Sequence, residues 1–166
     1  MPKGSTRWRP NWYAIAVFLV LSAGCSREGA TPSPRPAPPA EPASQVLGDY
    51  EIHFNALRTA ELSDAVAKTY GIHRGSDRVV LHVVLLRRMS DGRTVPVDGS
   101  VSASARTLTG QVTELNMRRV SLDDSIDFLG ELAISGEEIL VFDIVAVPSG
   151  SSERFAVELR RDFVAG

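Results

Sequence analysis

Beyond residue 45, apolar and polar residues mostly recur with a period of two. Between Tyr50 and Asn55 they alternate strictly, which predicts a half-buried strand. Residues 79–86 are apolar at both phases apart from His82, which predicts a central strand covered on both faces. Residues 139–147 form a second, nearly continuous β-branched run, and a last alternating segment ends at Phe163. The chain from residue 46 onward is therefore predicted to be rich in β-strand.

Shorter alternating segments at 101–107, 112–119 and 126–134 complete the strand pattern, with turn residues between them. One helix is predicted at 63–70, where Ser63 is the N-cap, Val66 and Tyr70 stand four residues apart, and Gly71 ends the helix. Seven to eight strands without interleaved helices predict an all-β fold, an antiparallel immunoglobulin-like β-sandwich with one short helix. An open β-barrel of the same strands is the alternative.

The N-terminus has the pattern of an export signal. Lys3, Arg7 and Arg9 precede an uncharged, mostly apolar run at 13–23, and no acidic residue occurs before it. Eleven helical residues rise only about 16 Å, against about 30 Å of hydrocarbon in a bilayer. The segment is therefore predicted to be a signal peptide and not a permanent membrane span.

The single cysteine, Cys25, directly follows Ser-Ala-Gly and resembles the lipid-acceptor cysteine of a bacterial lipobox. Lipidation at Cys25 would place two or three acyl chains on the first mature residue, which is enough for stable membrane attachment. Ser26 at the next position favours sorting to the outer membrane, by resemblance to enteric-type sorting rules. The alternative is a plain secreted protein with a chance cysteine at the cut site.

Residues 26–44 contain six of the ten prolines, a composition that favours an extended spacer. The predicted organisation is a signal peptide at 1–24, a lipidated cysteine and proline-rich tether at 25–45, and one domain at 46–166. Removing the three basic residues of the leader leaves 15 Lys and Arg against 20 Asp and Glu, a net charge of −5. This balance argues against nucleic acid as a partner.

The motif Gly48-Asp49-Tyr50-Glu51-Ile52-His53-Phe54-Asn55-Ala56, followed by the short helix closing at Tyr70-Gly71-Ile72, resembles the opening of a bacterial periplasmic family of unknown function. Leu108-Thr109-Gly110-Gln111 and Phe142-Asp143-Ile144 are similar to later landmarks of that family. The resemblance covers residues 48–163 and implies the extent of the domain. It implies no activity, because the family has none assigned.

The candidate binding residues form a polar row on the first predicted strand, where two-residue steps point Asp49, Glu51, His53 and Asn55 to one side. Steps of about 6.6 Å are too long for two such neighbours to share a metal ion without help from another strand. A solvated strand face, paired with an arginine, competes with a ligand or partner surface along this row.

His82 and Asp143 each interrupt an apolar strand, so both are expected to be buried and to make structural polar contacts. They would meet if their strands were neighbours, and an arginine is an equally good partner for Asp143. A catalytic His–Asp pair is disfavoured, because no nucleophile accompanies it.

Metal and cofactor signatures are not found in the sequence. A copper carrier would draw on dispersed residues, without the clustered spacing of a copper chaperone. These residues are His53, His73, His82, Met89 and Met117. We therefore expect no cofactor, no metal site and no catalytic residue.

The expected function is that of a membrane-tethered, non-enzymatic binding or accessory module of the cell envelope, with a protein or glycan as its partner. Two alternatives stay open. The first is an enzyme or enzyme subunit with a site near His53, and the second is a periplasmic metal carrier.

Overall fold

The computed structural model describes residues 43–163, and within this range the chain forms ten strands and one short α-helix. The strands are β1 (Ala43–Leu47), β2 (Tyr50–Arg58), β3 (Arg78–Arg88), β4 (Thr94–Pro96), β5 (Gly99–Thr107), β6 (Val112–Leu115), β7 (Arg118–Leu122), β8 (Ser125–Ala133), β9 (Glu138–Pro148) and β10 (Phe155–Phe163). The helix α1 (Asp64–Tyr70) follows a 3₁₀ turn (Thr59–Glu61) between β2 and β3.

The strands form two antiparallel sheets. The large sheet has the order β1-β2-β3-β8-β7, and β4 pairs with β3 beyond the end of β8. The small sheet has the order β10-β9-β5-β6. Because the sheets face each other without closing into a barrel over the described range, the prediction of an all-β sandwich is confirmed and the open-barrel alternative is not.

The core lies between the inner faces of the two sheets. Ile52, Leu81 and Leu85 of the large sheet and Phe142 and Phe155 of the small sheet are buried almost completely. These residues alternate with outward-facing neighbours along their strands, as the period of two requires. Each sheet thus has one inner face committed to the core and one outer face left for other contacts.

Helix α1 forms as its sequence predicts. Ser63 is the N-cap and its Oγ accepts from Val66 N at 3.3 Å. Gly71 ends the helix in the left-handed region at φ 62°, which glycine adopts without steric cost. The helix lies against the outer face of the large sheet and therefore covers part of that face.

Two strands were missed and one predicted strand is divided. Strand β1 begins at Ala43, inside the segment predicted as tether and three residues before the expected boundary at residue 46. The three-residue β4 is too short to show a period. The segment 112–119, predicted as one strand, splits into β6 and β7 of different sheets, because the chain crosses between the sheets there.

No helix within residues 43–163 is long and apolar enough to cross a membrane. The predicted signal peptide, Cys25 and most of the tether lie outside the described residues.

Candidate functional site

The outer face of the large sheet carries an open groove of about 310 Å³. We call it the outer groove; its lining residues come from β2 and β3 and are His53, Phe54, Asn55, His82, Val84 and Leu86. Strands β2 and β3 bring them together because they pair along their whole length, with His53 opposite Val84 and Asn55 opposite His82. Side chains at such positions share one face of the sheet.

A second strand pairing adds a carboxylate to this face. Val84 lies opposite Asp127 of β8 in the sheet register, and Asp127 lies opposite Val120 of β7. His53, Val84 and Asp127 therefore form one row across three strands. Asp127 is only 3% exposed, so its carboxylate needs partners within the protein.

Asp127 is the centre of a polar network. Its Oδ1 lies 2.5 Å from His82 Nε2, and its Oδ2 accepts from Ser125 Oγ at 2.7 Å and from Tyr70 Oη at 3.4 Å. Because a carboxylate accepts and does not donate, this contact favours the His82 tautomer with the proton on Nε2. These three donors satisfy a carboxylate whose burial would otherwise be costly.

Tyr70 connects this network to the end of helix α1. Burial raises the pKa of the Tyr70 hydroxyl above its ordinary value of 10.0, and the negative charge of Asp127 raises it further. The Tyr70 ring lies beside the His82 ring, with centroids 6.4 Å apart and tilted by 56°. Tyr70 therefore remains a neutral donor and holds one flank of the His82 side chain.

His53 has its own carboxylate. Its Nε2 lies 2.7 Å from Oε1 of Glu51, two residues earlier on β2. The other oxygen of Glu51 lies 3.8 Å from Arg88 Nη2. The side chains of His53 and His82 are 40% and 38% exposed, so both imidazoles remain open to the groove.

Among the described elements, helix α1 covers one end of the outer face and none covers the other end. Val80 and Leu129 are buried beneath the helix, against Ala67 and Ile72. Val84 and Leu86, further along β3, are only partly buried. The prediction that β3 is covered on both faces is therefore right at Val80 and wrong at Val84 and Leu86, where the uncovered apolar positions form the floor of the groove.

The polar row predicted on the first strand is found at three of its four positions. Glu51, His53 and Asn55 lie on β2, and Asn55 Oδ1 accepts from Arg161 Nη2 at 3.2 Å. Asp49 lies in the turn before β2 and is exposed, so it does not continue the row. The arginine expected beside a solvated face is present as Arg88 next to Glu51.

The expected burial of Asp143 is wrong. Asp143 is on β9 of the small sheet, exposed on its outer face, with Arg106 Nη2 3.7 Å from its Oδ2. Over residues 139–147, both phases of β9 are apolar apart from Asp143, so periodicity alone could not predict which phase faces the core. His82 is half-exposed instead of buried, and it contacts Asp127 and not Asp143, because β3 and β9 belong to different sheets.

Of the five residues considered for copper, the structure brings His53 and His82 together and leaves the other three apart. His53 and His82 share the groove, but His73 is exposed in the loop after α1. Met117 packs against the main core, and Met89 is exposed just past the end of β3. In the described part of the chain, no group of three or more His, Cys, Asp and Glu side chains is placed to hold a metal ion.

Asp127, Ser125 and Tyr70 were missed as site residues. The available signal was that Asp127 stands between Ile126 and Phe128 in an otherwise apolar segment. Its partners could not be found from the sequence, because the pairing of β8 with β3 is a long-range contact.

The fold and the groove define an antiparallel β-sandwich with an open groove on one outer face. The DUF4426 family, a domain of unknown function, matches residues 44–165, and the chain belongs to this family. A DUF4426 family protein from Pseudomonas aeruginosa PAO1 is similar in structure, with 30% sequence identity and a TM-score of 0.63 over 75% of this chain and 96% of that one.

Two structures of FetP from uropathogenic Escherichia coli strain F11 share the fold at 12% sequence identity. The first, a copper-bound variant with one substitution, has a TM-score of 0.50 over 76% of this chain and 91% of that one. The second, the as-isolated protein expressed in the periplasm, has a TM-score of 0.51 over 77% of this chain and 95% of that one. No curated protein matches the chain in sequence.

Proposed function

We propose that this protein is a non-enzymatic binding module of the bacterial cell envelope, held at the periplasmic side of the outer membrane by a lipid on Cys25, and that the outer groove is its contact surface. The main support for this proposal is that helix α1 leaves one end of β3 uncovered. There, Val84 and Leu86 leave apolar surface open between imidazole and amide groups. A concave, mainly apolar surface with a few polar groups is typical of binding sites.

The groove is also positioned for contact with a partner. Its floor belongs to the central strand β3, which is held by β2 along one edge and by β8 and β4 along the other. A site on paired strands keeps its geometry better than one on loops. The partner class is an envelope protein or glycan, which such a surface would contact through apolar groups and side-chain hydrogen bonds.

The proline-rich segment between Cys25 and β1 would act as a tether. A proline-rich spacer extends by about 3.1 Å per residue, so residues 26–42 would allow the domain to work up to about 50 Å from its anchor. This reach suits a partner in the periplasm or in the cell wall more than the bilayer itself.

The anchor is tested by fractionation. In cells carrying Cys25→Ala, the intact protein is expected in the soluble periplasmic fraction, because the two or three acyl chains that fix it to the membrane are missing. The wild-type protein is expected in the outer-membrane fraction, labelled by a palmitate analogue. A soluble, unlabelled wild-type protein would contradict the anchor and leave the groove proposal standing.

The contact surface is tested by photo-crosslinking in living cells. A photoreactive amino acid at Leu86 reports on the outer groove, and one at Ser102 reports on the outer face of the small sheet, beside β9. We expect a discrete crosslinked product from Leu86 and none from Ser102. Equal products from both positions, or lipid and bulk porin alone from Leu86, would contradict the groove as the contact surface.

A further inference from the structure

The two histidines of the outer groove share an unusual environment. His82 Nε2 lies 2.5 Å from Asp127 Oδ1, and His53 Nε2 lies 2.7 Å from Glu51 Oε1. In each ring the same nitrogen faces a carboxylate. A carboxylate beside Nε2 favours the tautomer with the proton at Nε2, which leaves the lone pair on Nδ1.

The fold brings these two rings to one place from two strands. Because His53 lies opposite Val84 and His82 opposite Asn55, the histidines are diagonal neighbours across the β2–β3 pair. Such diagonal positions are about 7–8 Å apart and are within reach of long or aromatic side chains. Strand β3 thereby supplies the second side chain that β2 alone could not provide.

Histidine with a carboxylate on its other nitrogen is a recurrent arrangement at metal centres. The carboxylate fixes the ring and its tautomer and increases the basicity of the ligating nitrogen. Imidazole nitrogen suits zinc, copper and nickel better than calcium or magnesium, which prefer oxygen. The two carboxylates also place negative charge beside a bound dication, and Arg88 Nη2 lies 3.8 Å from the Glu51 oxygen that His53 does not use.

We propose that His53 and His82 bind one zinc or copper(II) ion through their Nδ1 atoms, and that Glu51 and Asp127 hold the two rings in the binding tautomer. The proposal rests on the outer groove as the binding surface and names the class of ligand that it takes. With two protein ligands, the remaining coordination positions belong to water or to a group of the bound partner. The ion is therefore exchangeable and open on the groove side.

The chain contains a matched control for this site. His73 is exposed in the loop after α1 and does not line the groove. Any binding by a lone surface imidazole would involve His73 as much as the other two. Removal of His73 therefore separates a built two-histidine site from nonspecific binding.

The test is calorimetric titration of zinc chloride, and separately copper(II) chloride, into the detergent-solubilised full-length protein purified without a histidine tag. We expect one equivalent to bind, a loss of about tenfold or more in affinity for His53→Ala and for His82→Ala, and no change for His73→Ala. Equal losses for all three variants, or no saturable binding by the wild type, would overturn the proposal.

NMR and a Glu51 variant test whether Glu51 and Asp127 hold the two imidazoles in the binding tautomer. In ¹⁵N-resolved NMR of the imidazoles, the free protein should show the Nε2–H tautomer for both groove histidines, and zinc should shift Nδ1. Glu51→Gln should weaken zinc binding about tenfold with an unchanged melting temperature in the absence of metal. Zinc on Nε2, or a Glu51→Gln variant that binds as the wild type does, would overturn the assigned geometry.

Metal titration and crosslinking at Leu86 test the ion site and the macromolecular partner separately. If zinc and copper do not bind but Leu86 still crosslinks to a specific partner, the metal site is wrong and the binding module stands. If zinc binds at His53 and His82 but Leu86 gives no specific crosslink, the macromolecular partner is wrong and the groove is an ion site.

Discussion

The two ends of strand β3 have nearly the same apolar composition and opposite environments. Under helix α1, Val80 is 2% exposed and packs with Leu129, Ala67 and Ile72. Four residues further along the same face, Val84 is only partly buried and forms the floor of the outer groove. The difference comes from the seven-residue helix, which is too short to cover the whole face. An apolar stretch of a strand can therefore belong to the core or to a binding surface. Which of the two it forms depends on whether another element, here helix α1, packs on it.

Asp127 lies at the boundary between these two ends and gives the largest expected effect. Asp127→Ala removes the acceptor of His82, Ser125 and Tyr70 and is expected to lower the free energy of unfolding by about 2–3 kcal/mol. Urea denaturation measures the change. Glu51→Gln is the control, because its contact with His53 is more exposed than Asp127, at 18% for Glu51 and 40% for His53, and it should cost less than about 1 kcal/mol. An equal loss of unfolding free energy in the two variants would mean that the Asp127 network contributes no more to folding than the Glu51–His53 contact.

Val80 and Val84 are the same residue type at the covered and the open end of β3. Val80→Ala removes two buried carbon atoms and should lower the free energy of unfolding by about 2 kcal/mol. Val84→Ala removes the same atoms from a partly open site and should cost less than about 1 kcal/mol. The measurement is the urea midpoint at an unchanged slope. If Val84→Ala is as destabilising as Val80→Ala, the groove floor belongs to the core.

Tyr70 gives a pH test of the same boundary. Its pKa is raised in the folded state by burial and by Asp127, so the folded protein keeps the hydroxyl proton in a range where the unfolded chain has lost it. Stability from this group is complete below the ordinary pKa of 10.0 and is lost as the pH rises through the higher folded value. We expect wild-type stability to fall more steeply above pH 10 than that of Tyr70→Phe. Parallel pH profiles would mean that the hydroxyl is not held by Asp127.

The smallest effect is expected away from the outer groove, at Asp98. A hydrogen bond from Arg119, at 2.9 Å, and a second from Gly99 N lower the pKa of Asp98 below its ordinary value of 3.8. Stability from Asp98 is present above pH 3.8 and is lost as the pH falls through the lower folded value. Asp98→Asn should therefore be slightly less stable than wild type at neutral pH, and the difference should disappear in acid. A change in zinc affinity in this variant would contradict the separation of Asp98 from the groove.

Local patterns in the sequence predicted most strands, the capped helix and the sandwich. Strand β2 alternates as expected, because only one of its phases is apolar. Strand β9 is apolar at both phases, so periodicity identified the strand but assigned Asp143 to the wrong environment. A local pattern fixes a side chain's face only where the two phases differ in polarity.

The site depends on information that periodicity does not contain. His53 and His82 were both visible as candidates, but their common groove follows from the β2–β3 register. The pairing of His82 with Asp127 needs the further contact of β3 with β8, across a separation of 45 residues. Long-range pairing and the reach of helix α1 together decide which polar residues meet, and neither can be derived from one strand alone.

Occupancy of the open end of the outer face in the cell is measured by thiol labelling of two cysteine variants. Val84→Cys places a thiol in the outer groove, and Ser102→Cys places one on the outer face of the small sheet. A maleimide that enters the periplasm but does not cross the inner membrane should label both variants fully in purified protein. In intact cells, we expect Ser102→Cys to be labelled as in purified protein and Val84→Cys to be protected. Equal labelling of Val84→Cys in cells and in purified protein would contradict the account.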